Sequence, residues 1–136
     1  MHDMHHRRHH RGHRSRHRVG PDEWAVRARI ERFHEPALLL LLRERPRHGY
    51  ELIEELPEVA GGERVDVGNL YRFLRRLEGD GIVESEWDGE LPGPAKRTYT
   101  LTAAGEKLLD QWAEALRRSR EEVSAFLDRY ETKGGE

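Results

Sequence analysis

The sequence predicts a mainly α protein with a single small β-hairpin and a long C-terminal helix. Three observations carry that reading. Apolar residues recur at helical spacing in short stretches between residues 36 and 79. Two alternating stretches, "IVESEW" at 82–87 and "RTYTLT" at 97–102, flank a loop rich in Gly and Pro, as the strands of a hairpin do. Residues 103–130 then place Leu109, Trp112, Leu116, Val123, Phe126 and Tyr130 on an alternating 3,4 spacing broken only by Ser119, nearly three heptads of a seam.

Taken in order, residues 1–20 are His and Arg with almost no apolar content, too little to repay the entropy of ordering, and read as a disordered arm. "PDEW" opens a short helix, since Pro and acidic residues suit a first turn, with Trp24, Ala28 and Phe33 toward its inner side. Pro36 interrupts or restarts it. "PALLLLLRER", 36–45, is apolar nearly all round and reads as a central buried helix closed by Pro46. "HGYELIEEL", 48–56, is a second helix with Tyr50, Ile53 and Leu56 inward, and "PEVAGGERV" is a loop. Asp66 caps a third helix whose Val67, Leu70, Leu74 and Leu77 face the core with Phe73 at the edge; Gly79 and Gly81 stop it. After the hairpin, with Trp87 in the core of its wing, Thr102 caps the last helix. The expected organisation is an arm at 1–20, a domain at 21–102, a pairing helix at 103–130 and a flexible tail at 131–136.

Composition limits the alternatives. The 136 residues are 35% hydrophobic and 37% charged, a lean core that a partner subunit could complete. There is no cysteine, so no disulfide framework and no thiolate chemistry. The longest apolar run, "ALLLLL", is too short to span a bilayer, and "MHDMHHRRHH" lacks the apolar stretch of a signal peptide; the expectation is cytoplasmic. The net charge of −2 hides an asymmetry: six arginines against one aspartate in residues 1–18, about +5, on a body of about −7. A basic arm on an acidic body is a recurring sign of polyanion binding.

Three short helices followed by a hairpin form a winged helix-turn-helix, in which the third helix enters the DNA major groove. On that helix Gly68, Arg72 and Arg75 point away from the apolar side, Asn69 and Arg76 lie on one flank and Tyr71 on the other. Arg bonds guanine edges and Asn bonds adenine edges, and Arg and Tyr also bond phosphates. Gly68 lets backbone near the helix start approach a phosphate. Lys96 and Arg97 in the wing "PAKR" are placed to reach the DNA backbone. The bland reading is a solvated arginine face on a protein-interaction module that uses the long helix and binds no DNA.

"ALLLLLRERPRHGYELIEEL", "GNLYRFLRRLEGDGIVESEW" and "RTYTLTAAG", in that order, resemble the PadR family of transcriptional regulators over residues 35–130. The resemblance implies a winged-helix repressor that dimerises through its C-terminal helix, in the shorter subtype with a single such helix. It also implies release from DNA by small hydrophobic or aromatic compounds. By position His48, Gly49 and Tyr50 match a structural motif of the second helix, and Tyr71 matches a recognition-helix tyrosine linked to DNA contact. Arg72 departs from the proline that many relatives carry there, and the His/Arg arm is not a general feature of the family.

Other chemistry finds less support. His5, His9 and His13, with His17, are four apart and could ladder a metal ion if the arm were helical, which would make the chain a metal-responsive regulator; the competing reading is a flexible basic tail on phosphates. Trp24, Trp112 and Leu116 are candidates for a flat apolar ligand slot at the dimer seam, against the plainer reading that they fill core or interface. There is no Gly-rich phosphate loop and no serine in a nucleophile motif, so no enzyme and no cofactor are expected.

Overall fold

Five leucines and an alanine in succession leave the first helix no polar side to show to water. α1 (His34–Glu44) accordingly buries Ala37, Leu38, Leu39, Leu41 and Leu42 at the centre of the core. Each fully buried leucine is worth about 1.5–3 kcal/mol. The computed structural model describes residues 16–26, 28, 32–61, 65–87 and 97–134. The chain forms two compact units, Met1–Glu31 and Arg32–Glu136.

The described part of the first unit is a hairpin of β1 (Arg16–Gly20) and β2 (Glu23–Val26). This overturns two expectations: residues 16–20 are a strand, and Trp24 lies in the second strand rather than on a helix from residue 21. The cause is the turn at Gly20-Pro21-Asp22, where Arg18 Nη1 donates to the Pro21 carbonyl at 2.8 Å. The guanidinium carbons of Arg16 and Arg18 each stand 4.4 Å from the Trp24 ring centroid.

In the second unit, Arg45 ends α1, and β3 (Arg47–His48) leads into α2 (Gly49–Val59). Arg47 is the buried charge of the core. Its Nε donates to Glu55 Oε1 at 2.6 Å, and Nη1 donates to the Leu41 carbonyl, which also accepts the Arg45 N–H at the end of α1. The His48 N–H donates to Glu51 Oε1 at 2.8 Å, closing a capping box at the start of α2. That bond, assisted by Arg45 and the His48 ring and opposed by burial, holds the Glu51 carboxyl below its usual range. α2 runs through Pro57 to Val59, three residues past the expected end. Its buried residues are Gly49, Leu52 and Leu56; Tyr50 is exposed and stacks on His48 at 5.3 Å, contrary to the inward placement expected of it.

α3 (Val67–Gly79) starts where Asp66 Oδ2 accepts the Asn69 N–H at 3.1 Å. It ends in a Schellman motif: Gly81, at φ +80, donates to the Glu78 carbonyl and Ile82 donates to that of Leu77. Leu70, Leu74 and Leu77 are buried, whereas Val67, in the first turn, is exposed. β4 (Val83–Trp87) and β5 (Arg97–Leu101) form the wing, and β3 joins them in the order β3-β5-β4. Trp87 is half-exposed on the wing rather than in its core, with the Arg97 guanidinium 5.2 Å above its ring.

α4 (Ala103–Gly134) begins at Thr102, whose Oγ1 accepts the Gly105 N–H at 3.0 Å and donates toward the Gly81 and Ile82 carbonyls. The helix passes so close to the end of α3 that a Cβ at Gly105 would stand 2.4 Å from the Ile82 carbonyl oxygen. It continues beyond residue 130, where a tail was expected. Among the described residues no helix is long and apolar enough to cross a membrane.

Candidate nucleic-acid interface

The apolar face of α3 is fixed by Leu70, Leu74 and Leu77, and the helical period turns Gly68, Asn69, Arg72, Arg75 and Arg76 outward. All five are exposed. They are not equivalent. Arg72 donates to Asn69 Oδ1 one turn earlier, so these two candidates for base reading are tied together. Arg76 lies over the Phe73 ring of its own helix, 5.4 Å from the centroid. Arg75 makes no hydrogen bond or ion pair among the described residues and lines a cleft of about 450 Å³ between α3 and the wing.

Arg97 comes to the same cleft from β5. Its Nε donates to Ser85 Oγ at 3.1 Å, and Ser85 donates to Glu78 Oε2 at 2.8 Å. This relay fixes the wing to α3. Tyr71, Glu78, Trp87 and Tyr99 complete the cleft wall. Burial pushes the Tyr99 hydroxyl above its ordinary range; Arg97 and Arg75 act against that, and Glu78 and Tyr71 act with it. Lys96 lies outside the described residues.

Tyr71 departs from the outward placement expected of it. Its ring is half-buried and its hydroxyl is fully buried without a hydrogen-bond partner among the described residues. It lies against Gly49, where a Cβ would stand 2.7 Å from the hydroxyl. Burial raises its pKa. The Gly of "HGY" is therefore space for Tyr71, a link that only the folded chain reveals.

The remaining candidates fall elsewhere. Trp24 belongs to the N-terminal unit, against Arg16 and Arg18, while Trp112 and Leu116 are half-buried on α4. The Trp112 indole N–H donates to Glu35 Oε2 at 2.9 Å, tying α4 to the first turn of α1. His5, His9 and His13 lie outside the described residues, and among those described no group of three His, Asp or Glu converges as a metal site. Sequence reasoning missed the roles of Arg47, Glu35 and Ser85, which are polar partners across elements and leave no periodic trace. It also missed Arg16 and Arg18 as strand residues, although Gly20-Pro21-Asp22 carried a turn signal.

Helices α1 to α3 followed by a two-stranded wing define a winged helix-turn-helix, extended here by a long C-terminal helix. Residues 38–111, more than half of the chain, match the family described as transcriptional regulator PadR-like. A transcriptional regulator of Mycobacterium tuberculosis, Rv3488, is 41% identical over 76 residues, 56% of this chain and 68% of its own. A PadR-like transcription factor from Bacteroides fragilis is 30% identical, with a TM-score of 0.58 over 68% of this chain and 87% of that one. Bacillus subtilis PadR, solved in complex with operator DNA, is 25% identical, with a TM-score of 0.52 over 62% of this chain and 48% of that one. The chain belongs to the PadR-like family of transcriptional regulators.

Proposed function

We propose that the chain is a repressor that binds a palindromic operator as a homodimer and leaves it when a small aromatic or hydrophobic effector binds. The observation that carries the DNA reading is the exposed guanidinium face of α3, seated on three buried leucines beside the Arg97 wing. Arg72, Arg75 and Arg76 with Asn69 read or grip the duplex; Arg97 and Lys96 take its backbone; Tyr71 supports the helix from below. The relative solved with operator DNA supports the DNA-binding reading.

Dimerisation rests on the second half of α4. Val123 is 57% exposed, Phe126 68%, Leu127 44% and Tyr130 66%, a stripe too apolar to stay in water along a helix that has left its own core. A two-fold pairing there sets two reading helices for half-sites about one helical turn apart. An effector seated near Trp112 and Leu116 acts through the Trp112–Glu35 link to α1, and it works only by preferring the released state.

The test is a mobility shift on DNA from the protein's own promoter region, repeated while planar compounds are screened by tryptophan fluorescence. Retardation by the wild type, relieved by a compound that quenches Trp112, is the expected result. Absence of retardation at low salt contradicts the repressor reading and favours an interaction module.

A further inference from the structure

The hairpin of the N-terminal unit lies outside the family match, and the interface of α3 and the wing leaves it without a role. Its register sorts its side chains. Arg16 pairs with Val26 and Arg18 with Trp24, so these four share one face; His17 and Ala25, paired with each other, take the opposite face. Glu23 neighbours Trp24 along the strand and so points to that opposite face, and Asp22 sits in the turn. Among the described residues, the face of Arg16 and Arg18 thus carries two cations, an indole and no carboxylate. Trp24 is 43% exposed and both arginines are exposed.

A guanidinium laid against an aromatic ring loses little of its donor capacity, because its N–H groups lie in its plane and around its edge. Arg18 is held further by its bond to the Pro21 carbonyl. The indole therefore orders two forks that would otherwise lose rotamer freedom on binding an anion.

We propose that this face is a preformed seat for the phosphate backbone of duplex DNA, with Trp24 as the residue that positions Arg16 and Arg18. The inference rests on the DNA-binding reading above and adds a second contact to it. Both arginines are engaged with the ring and make a backbone grip, so the contact adds affinity on any sequence.

The test is the salt dependence of binding, by fluorescence anisotropy, to a duplex from the promoter region and to a scrambled duplex of equal length. Changing Arg16→Gln and Arg18→Gln together lowers the slope of log K against log salt by roughly two for each protomer bound, at about 0.9 per phosphate. Trp24→Ala removes no charge, yet weakens binding roughly two- to fivefold on both duplexes. Trp24→Phe recovers most of that loss, and Val19→Ala, away from the Arg16–Arg18–Trp24 cluster, binds as the wild type does. Wild-type affinity in Trp24→Ala together with a wild-type slope in the double Gln variant, with promoter preference intact, overturns the hairpin seat and leaves the DNA reading standing. A loss confined to the promoter duplex overturns the backbone assignment. A wild type that binds neither duplex overturns both readings.

Discussion

Tyr71 of α3 rests its hydroxyl on Gly49 of α2, with no room for a methyl group between them and no hydrogen-bond partner for the oxygen among the described residues. The contact joins the first residue of α2 to the reading helix, so the pitch of α3 depends on a missing side chain. Gly49→Ala is expected to cost about 1–3 kcal/mol, the usual range for overpacking. Tyr71→Phe removes a buried hydroxyl that gains nothing from its surroundings, so stability should hold or rise by up to about 1 kcal/mol. It should rescue Gly49→Ala only in part, because the ring carbon Cε1 would still stand 2.8 Å from the new Cβ. Urea titration of the single and double variants checks this; equal losses in Gly49→Ala and Tyr71→Phe contradict it.

The same burial sets an alkaline limit. Tyr71 and Tyr99 both have pKa values raised above the ordinary value of 10.0, chiefly by desolvation of the phenolate. Above that pH the unfolded chain has lost protons that the folded chain retains, so stability falls as pH rises. The contribution is fully present below pH 10 and is lost as pH climbs through the folded values. Tyr71→Phe should flatten that fall in a denaturation series at rising pH, and an unchanged slope would show that Tyr71 titrates normally.

Two glycines separate space from function. At Gly105 a Cβ meets the Ile82 carbonyl, which cannot give way because it accepts the Thr102 N–H, so Gly105→Ala should destabilise by about 1–3 kcal/mol. At Gly68 a Cβ meets nothing closer than 3.6 Å, so Gly68→Ala should hold or gain up to about 1 kcal/mol of helix stability. If backbone near Gly68 approaches a phosphate, this stable variant will nonetheless bind DNA more weakly. Wild-type DNA affinity in Gly68→Ala removes that contact.

Much of α3 was legible in the sequence, because its signals are local: Asp66 caps it, Leu70, Leu74 and Leu77 repeat on one side, and Gly81 supplies the positive φ of its end. The wing strands were legible for the same reason. Signals that depend on a distant partner were not. Tyr50 and Val67 fit an apolar spacing but stand in water, because the buried stripe of α2 is set by Leu52 and Leu56 and the first turn of α3 precedes the core. Arg47 reads as a surface residue until Glu55 and the end of α1 close around it. Two-residue β3 is too short to show alternation, and the N-terminal hairpin packs its tryptophan on arginines rather than on apolar residues.

The seam of α4 also divides in the structure. Leu109 is buried and Trp112 and Leu116 are half-buried within their own chain, whereas Val123, Phe126 and Tyr130 are exposed. Phe126→Asp should therefore yield a folded monomer with weak operator binding, and Leu116→Asp should lose thermal stability in addition. Sedimentation with thermal unfolding distinguishes the two; a wild type that is monomeric at micromolar concentration contradicts the pairing.

Whether the arginine face of α3 reads DNA is decided by the promoter-duplex affinity of an Arg72→Ala/Arg75→Ala variant. A bidentate contact to a base is worth about 1–3 kcal/mol, and the tie between Arg72 and Asn69 makes losses at those two positions less than additive. Arg75 shares no bond with either and should add its full share. The double variant is expected to keep its fold and its dimer, lose at least tenfold in affinity for the promoter duplex, and lose its preference over a scrambled duplex. A double variant with wild-type affinity and preference would contradict that reading.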